Sequence, residues 1–143
     1  MRKRTRAREC ALQILYQVDI GGIDCKDECL GTYWKWYQED AEAAVKEFAE
    51  ELVDGVLANL KEIDRVVGAY AENWKMDRMA IVDRNILRIA TFELMHKDDI
   101  PPKVSINEAI DIAKKFGDPE SGKFVNGILD KISKAERCDA KKS

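Results

Sequence analysis

Apolar residues recur at three- and four-residue spacing along most of the chain, and this spacing constrains the fold more than any other feature. The first apolar stripe consists of Ala7, Cys10, Ala11, Ile14, Leu15 and Val18. It predicts a helix over residues 5–19, which Gly21 and Gly22 end. No stretch alternates apolar and polar residues as a half-buried strand does. The chain is therefore predicted to be all α.

The same period predicts helices in the middle of the chain. Residues 41–60 are strongly amphipathic, and Asn59 with Glu62 resembles a cap for the next helix. That helix is predicted to bury Ile63, Val66, Val67, Tyr70 and Trp74. Residues 79–95 are apolar nearly all round, which is typical of a central helix. Its charged residues must then leave at the helix ends or find partners; they are Asp83, Arg84, Arg88 and Glu93.

Two further helices are predicted in the last third. Pro101-Pro102 predicts an extended linker, and Ser105 to Glu108 matches a capping box that starts the next helix. Gly117 stands where a left-handed residue ends a helix. Asp118-Pro119 predicts a cap and a first-turn proline for the last helix. Residues 22–40 show no period, and their aromatic cluster is read as a short helix or a capping loop. In total we expect six or seven helices.

Length and composition set the class of protein. The 143 residues suit one domain, predicted over residues 1–136, with a polar and frayed tail over 137–143. Hydrophobic residues form 45% and charged residues 36% of the chain, which argues against disorder. No apolar run approaches the ~20 residues that span a bilayer, and the pattern of a secretory signal is missing. We expect a cytoplasmic protein.

The cysteines and the histidine are the candidates for metal binding and catalysis. Cys25 and Cys29 lie close in a loop-like stretch, but a zinc site needs more ligands of this kind, and His96 is the one histidine. Reduced, unpaired thiols are the preferred interpretation. His96 at a helix end is better read as a capping cation than as a catalyst. No phosphate loop or nucleophile with a nearby base is found, so we expect no enzyme, no cofactor and no metal.

Charge is distributed unevenly. The net charge is −3, yet five cations precede the first acidic residue: Arg2, Lys3, Arg4, Arg6 and Arg8. Positive charge at a helix N-terminus opposes the helix dipole, which suggests another use, such as contact with phosphates. A solvated basic tail is the alternative. Tyr16, two turns beyond Arg8, is a candidate platform for an unstacked base, or else a half-buried tyrosine.

A second candidate site opens the last helix. Lys123, Phe124 and Asn126 place a cation, an aromatic ring and an amide near a helix N-terminus, which favours anions. The alternative for Phe124 is a plain core position.

Taken together, these stretches resemble the NusB family over nearly the whole chain. The matching segments are RARECALQILY at 6–16, DRNILRIA at 83–90, VSINEAI at 104–110 and KFVNGILD at 123–130. The resemblance implies a compact bundle of about seven helices in two halves. It also implies binding to boxA RNA together with NusE, a small-subunit ribosomal protein. That pair would join NusA, NusG and RNA polymerase and make elongation over ribosomal RNA operons resistant to termination.

The resemblance also assigns roles to residues. The RNA surface would be formed by Arg4, Arg6, Arg8, Tyr16, Lys123, Phe124 and Asn126. The NusE contact would involve Asp83, with Arg78 and Lys75 as neighbours. Glu120 and Gly122 depart from the family pattern before Lys123. Alternatives left open are a chaperone of ribosomal RNA maturation and a protein-binding helical adaptor; the RNA-binding half of a methyltransferase fits poorly.

Overall fold

The computed structural model describes residues 2–36, 42–72 and 74–136. These residues contain seven α-helices and no strand, which confirms the all-α prediction. The helices are α1 (Lys3–Gly21), α2 (Lys26–Trp36), α3 (Ala43–Ala58), α4 (Leu60–Tyr70), α5 (Ile81–His96), α6 (Pro102–Phe116) and α7 (Ser121–Glu136). Short 3₁₀ turns at Ile23–Cys25 and Met76–Arg78 precede α2 and α5.

The chain divides into two compact units, Met1–Ala58 and Asn59–Ser143, each described by itself below. The prediction of one domain over residues 1–136 stays a prediction. Among the described residues, no helix combines the length and the apolar character that crossing a membrane requires. The tail predicted over 137–143 lies outside the described residues.

In the first unit, α1 packs against α3 and α2. The predicted stripe of α1 is buried throughout, and α3 buries its own apolar face against it. Gly22 ends α1 as predicted: its φ is 95° and its amide donates to the carbonyl of Val18 at 2.7 Å. This left-handed conformation suits a residue without Cβ.

The segment without a clear period is helical, so the short-helix reading of residues 22–40 is confirmed over 26–36. The hydroxyl of Tyr33 donates to Oε1 of Gln13 on α1 at 2.7 Å, and the Tyr33 ring meets Trp34 edge to face. Both side chains are buried, which explains why this segment docks despite its weak periodicity. Tyr37, which also belongs to the aromatic cluster of residues 22–40, lies outside the described residues.

In the second unit, α5 is the central helix and packs against α4, α6 and α7, as its apolar circumference predicts. Its charged residues find partners. The Arg88 guanidinium donates to both carboxylate oxygens of Asp64 at 2.8 and 2.9 Å, and Arg84 donates to the carbonyl of Met76 at 3.2 Å. Pairing of this kind lets a buried helix carry charge.

The predicted capping box at residues 105–108 is wrong. Helix α6 begins at Pro102, so only Pro101 is extended and the proline pair is not a linker. A first-position proline is favourable because its missing amide hydrogen would have no helical partner there. Ser105 therefore lies inside the first turns, and its hydroxyl donates to Oε1 of Glu93 on α5 at 2.7 Å.

Gly117 does not adopt the predicted left-handed conformation, since its φ is −97°. Its lack of a side chain serves close packing: a Cβ there would stand 2.9 Å from the Ala113 carbonyl oxygen and 2.7 Å from Cβ of Ser121. Asp118 accepts from the Glu120 amide at 2.9 Å and orders the turn before α7. Because α7 begins at Ser121, Pro119 precedes the helix instead of opening it.

Two details of α4 also differ from expectation. The helix begins at Leu60 as predicted, but the Asn59 side chain makes no capping hydrogen bond. Trp74 was predicted on the buried face of this helix. Since α4 ends at Tyr70, Trp74 leaves the helical path, and it is 52% exposed.

Candidate nucleic-acid interface

The first candidate surface is the N-terminal basic cluster at the start of α1, formed by Arg2, Lys3, Arg4, Arg6 and Arg8. The first turn of α1 holds no acidic residue and no side-chain cap, so the helix dipole adds to the positive charge. Arg2, Lys3 and Arg4 are exposed, and Arg6 is half-buried. Positive charge at this end does not stabilise the helix, but it attracts an approaching anion.

The ring of Phe48 on α3 contacts two arginines of the basic cluster. The Arg4 guanidinium lies over the Phe48 ring, 4.5 Å from its centroid, and the Arg8 guanidinium lies 5.6 Å from it. Cation–π contacts of this kind hold guanidinium groups in place. Arg8 is only 3% exposed, so of the three arginines predicted to contact RNA it presents the least surface. Of the three arginines, Arg4 has the most accessible side chain.

Lys3 also faces a carboxylate of its own unit. Its Nζ lies 3.0 Å from Oε2 of Glu42, and both side chains are exposed. An exposed pair is worth about 0–1 kcal/mol, so a phosphate competes for this lysine at low cost.

Tyr16 lies further along the same helix and is 39% exposed. Ile20, one turn beyond on the same helix, and Ile23, after the end of α1, are more exposed still. An exposed ring offers a face on which a base can stack. At this exposure both interpretations of Tyr16 stay open, a platform for a base and a partly buried tyrosine.

The second candidate surface lies in the second unit, at the start of α7. Lys123 and Asn126 are exposed, and Phe124 is half-buried. The Phe124 ring contacts Trp74 edge to face, with ring centroids 5.8 Å apart and an angle of 76° between the rings. Trp74 was missed as a functional candidate because the helical period from α4 assigned it to the core. In the fold the Trp74 side chain is exposed, and its ring lies beside Phe124.

Gly122 explains how this turn is packed. The residue is buried, and a Cβ there would lie 3.5 Å from Cγ of Lys114 on α6. The lysine stem thus covers the glycine, which brings the start of α7 close to α6. The next residue, Lys123, is exposed.

The residues predicted to contact NusE differ in accessibility. Lys75 and Arg78 are exposed around the 3₁₀ turn Met76–Arg78. Asp83 is 8% exposed, and its Oδ1 accepts no hydrogen bond from the described residues. Burial raises the pKa of Asp83; a hydrogen bond with Ser121 opposes this shift, and the charge of Asp118 adds to it. The residues predicted to contact NusE are therefore one buried carboxyl group, Asp83, and two exposed cations, Lys75 and Arg78.

Within the described ranges, no group of three or more histidine, cysteine or acidic side chains could hold a metal ion. The chemistry that the two surfaces offer is charge, stacking and amide hydrogen bonding.

Comparison with known proteins identifies the family. A model of the NusB family matches residues 5–134. The chain belongs to the NusB family. The transcription antitermination protein NusB of Anaeromyxobacter dehalogenans is 50% identical to it over 133 residues, covering 92% of this chain and 90% of the relative. The protein of the same name from Myxococcus xanthus is 45% identical over 138 residues, covering 94% and 97%.

Solved NusB structures share the fold of this NusB-family chain. T. maritima NusB superposes with a TM-score of 0.83 at 38% identity, covering 98% of this chain and 97% of that one. A chain from the crystal structure of antitermination factors NusB and NusE in complex with dsRNA superposes with a TM-score of 0.79 at 31% identity, covering 94% and 98%. The predicted bundle of about seven helices is confirmed.

Proposed function

We propose that this NusB-family chain is a non-enzymatic, cytoplasmic transcription antitermination factor. It binds boxA RNA jointly with NusE, and the pair acts with NusA, NusG and RNA polymerase during elongation. The observation that carries the proposal is the structural similarity of this chain, over 94% of its length, to a chain from the complex of NusB and NusE with dsRNA. The relatives named transcription antitermination protein support the same activity.

The RNA contacts are assigned to the two surfaces described above. Arg4 and Arg6 contact the RNA backbone, and Arg8 lies buried behind them. Tyr16 stacks on a base. In the second unit Lys123, Phe124 and Asn126 contact RNA, with Trp74 beside Phe124. Single-stranded RNA is recognised by this combination of phosphate contacts and stacked, splayed bases.

The strength of such binding follows from the number of phosphates neutralised. For about four contacts, at about 0.7 per phosphate for a single strand, the slope of log K against log salt is about −3. So few contacts bind weakly at physiological salt. A second protein that contributes its own contacts raises the affinity, which is the role assigned to NusE through Asp83, Arg78 and Lys75.

The test is a titration of boxA RNA with the full chain, with and without NusE, at several salt concentrations. We expect NusE to tighten binding. We also expect the double variant Arg4→Ala/Arg6→Ala to weaken it and to make the salt slope shallower by about 1–2. The control Lys61→Ala/Arg65→Ala removes two exposed cations from α4 and leaves both quantities unchanged. Equal affinity with and without NusE contradicts the proposal.

The aromatic pair is tested separately. Each stacked base contributes about 1–3 kcal/mol, so Trp74→Ala and Phe124→Ala are each expected to weaken RNA binding by roughly 5- to 150-fold. Trp36→Ala is the matched control, since Trp36 is 71% exposed and belongs to neither surface. Thermal unfolding monitored by circular dichroism confirms that each variant is folded. Unchanged affinity in both folded variants would remove this pair from the RNA surface.

A role in ribosomal RNA maturation alone is separated from antitermination by transcription across a terminator. A reconstituted elongation complex with NusA, NusG and NusE is compared with and without this chain. We expect read-through to increase only when the chain and boxA are both present.

A further inference from the structure

Two cysteines of the first unit are in contact. Cys25 ends the 3₁₀ turn before α2, and Cys29 lies one turn further along that helix. Their Sγ atoms are 3.1 Å apart, and both residues are partly exposed. The sequence placed them in a loop as two unpaired thiols, whereas the helical register brings them onto one face.

The pair does not resemble a metal site. Two thiolates on one tetrahedral zinc ion, each at about 2.3 Å, lie about 3.7 Å apart. The sulfurs of Cys25 and Cys29 are closer than that. Within the described ranges no third ligand forms a group with them. Direct contact of two sulfurs instead brings them near the geometry of bond formation.

Gly21 gives Cys25 the space to face its partner. A Cβ at Gly21 would lie 2.8 Å from Sγ of Cys25, a distance that real Cβ atoms do not tolerate. Any other residue at this position would therefore displace the sulfur or the helix end. The placement of Cys25 thus depends on the last residue of α1 as well as on α2.

We propose that Cys25 and Cys29 are a peroxide-sensitive modification site that closes reversibly into an intramolecular disulfide. In the first step the Cys25 thiolate attacks one peroxide oxygen, the O–O bond breaks, and hydroxide leaves as Cys25 becomes a sulfenic acid. In the second step the Cys29 sulfur displaces the sulfenic hydroxyl group, which takes the Cys29 proton and leaves as water. The hydroxide of the first step combines with the proton that Cys25 lost, so the reaction releases two water molecules in all. The dithiol loses two electrons, hydrogen peroxide gains them, and a dithiol reductant reverses the change.

The order of the two sulfurs follows from their surroundings. Burial and the contact with Cys25 raise the pKa of Cys29 to about 11, with a further contribution from Glu28. On this ground we assign the resolving role to Cys29 and the first attack to Cys25, and trapping of the sulfenic acid, described below, decides the order. Burial also raises the pKa of Cys10, and its side chain is inaccessible to peroxide.

The disulfide is expected to be easily reduced. Closure must bring the sulfurs from 3.1 Å to about 2.05 Å across one helical turn. The start of α2 must tighten to allow this. Strained and exposed disulfides have more oxidising potentials than structural ones, so a dithiol reductant should reopen the bond readily. The proposal is independent of the RNA-binding proposal.

The experiment treats the full chain with hydrogen peroxide in a Cys138→Ser background. Intact mass and peptide mapping are expected to show loss of two hydrogens and a Cys25–Cys29 linkage, both reversed by dithiothreitol. In Cys29→Ser, Cys25 is expected to accumulate as a sulfenic acid that reacts with dimedone. In Cys25→Ser, Cys29 is expected to stay unmodified at the same peroxide concentration. Gly21→Ala should slow closure, and Gly31→Ala, where a Cβ meets open space, is its control.

Three results would overturn the proposal. One is oxidation to sulfinic acid without any internal linkage. Another is linkage only between two molecules of the protein. The third is trapping of Cys29 instead of Cys25, which would reverse the assigned order. Because the first measurement uses the unaltered cysteine pair, poor folding of a variant does not remove the test.

Discussion

The hydroxyl of Ser105 on α6 donates a 2.7 Å hydrogen bond to Oε1 of Glu93 on α5, and both side chains are buried. This bond joins two helices that the sequence pattern treats separately. Burying a carboxyl group costs free energy unless its oxygens accept hydrogen bonds. The Ser105 hydroxyl therefore offsets part of the cost of burying Glu93. The bond is an interhelical contact where a helix cap was expected.

Removing that hydroxyl is expected to destabilise the protein. Ser105→Ala takes one hydrogen bond from a buried charged group, and the free energy of unfolding should fall by about 1–3 kcal/mol. Asn107→Ala, at an exposed position of the same helix, is the control and should change stability by no more than about 0.5 kcal/mol. Urea unfolding followed by circular dichroism measures both. Equal stability of the two variants would show that the Ser105–Glu93 bond contributes nothing.

Two glycine substitutions are expected to have opposite effects. At Gly117, an added Cβ would meet the Ala113 carbonyl oxygen at 2.9 Å and the Ser121 side chain, so Gly117→Ala should cost about 1–3 kcal/mol through crowding. At Gly68, an exposed position inside α4, nothing lies within 4 Å, and Gly68→Ala should add about 0.5–1 kcal/mol because alanine loses less entropy in a helix. Thermal melts distinguish the two. A stabilising Gly117→Ala would refute the crowding argument.

The stability of the protein is expected to depend on pH through Asp83. Its pKa is raised above 3.8, the ordinary value for an aspartic acid side chain, chiefly by burial, so the folded state binds a proton more readily than the unfolded state. Stability therefore falls as the pH rises from 3.8 through the raised pKa, and the loss is complete above it. Below 3.8 both states are protonated, and the contribution no longer changes.

Asp83→Asn tests this pH dependence, since it keeps the shape of the side chain and removes the charge. The variant should be more stable than the parent near neutral pH, and the difference should shrink as the pH falls. Urea midpoints measured between about pH 4 and pH 7 follow both proteins across the expected window. Parallel curves for the two proteins would show that Asp83 does not titrate in this way.

The periodic elements of the fold were predictable because local repetition is enough to define them. The stripe of α1, the amphipathic α3 and the apolar circumference of α5 each required only three- and four-residue spacing. Gly22 could be predicted as a helix end for the same local reason, as could the basic cluster at the start of α1. These features need no knowledge of what packs against them.

Other residues were misread because their partners are distant in sequence. Ser105 has the local signature of a cap but bonds to Glu93, twelve residues earlier in the chain. Trp74 continues the helical period of α4, yet the helix ends first and the ring lies exposed against Phe124. Cys25 and Cys29 are near each other in sequence, but they lie in a segment of weak pattern, whose helix docks through the buried side chains of Tyr33 and Trp34.

The amino-acid sequence by itself determined the all-helical class, the order of the helices and the place of the positive charge, since periodicity and composition act over a few neighbouring residues. Only the tertiary structure decided that Arg8 is buried against Phe48, that Trp74 joins Phe124 and that two sulfurs meet at the start of α2. Exposure and pairing depend on which helices pack together. That packing is set by the sum of many weak contacts between segments far apart in the chain.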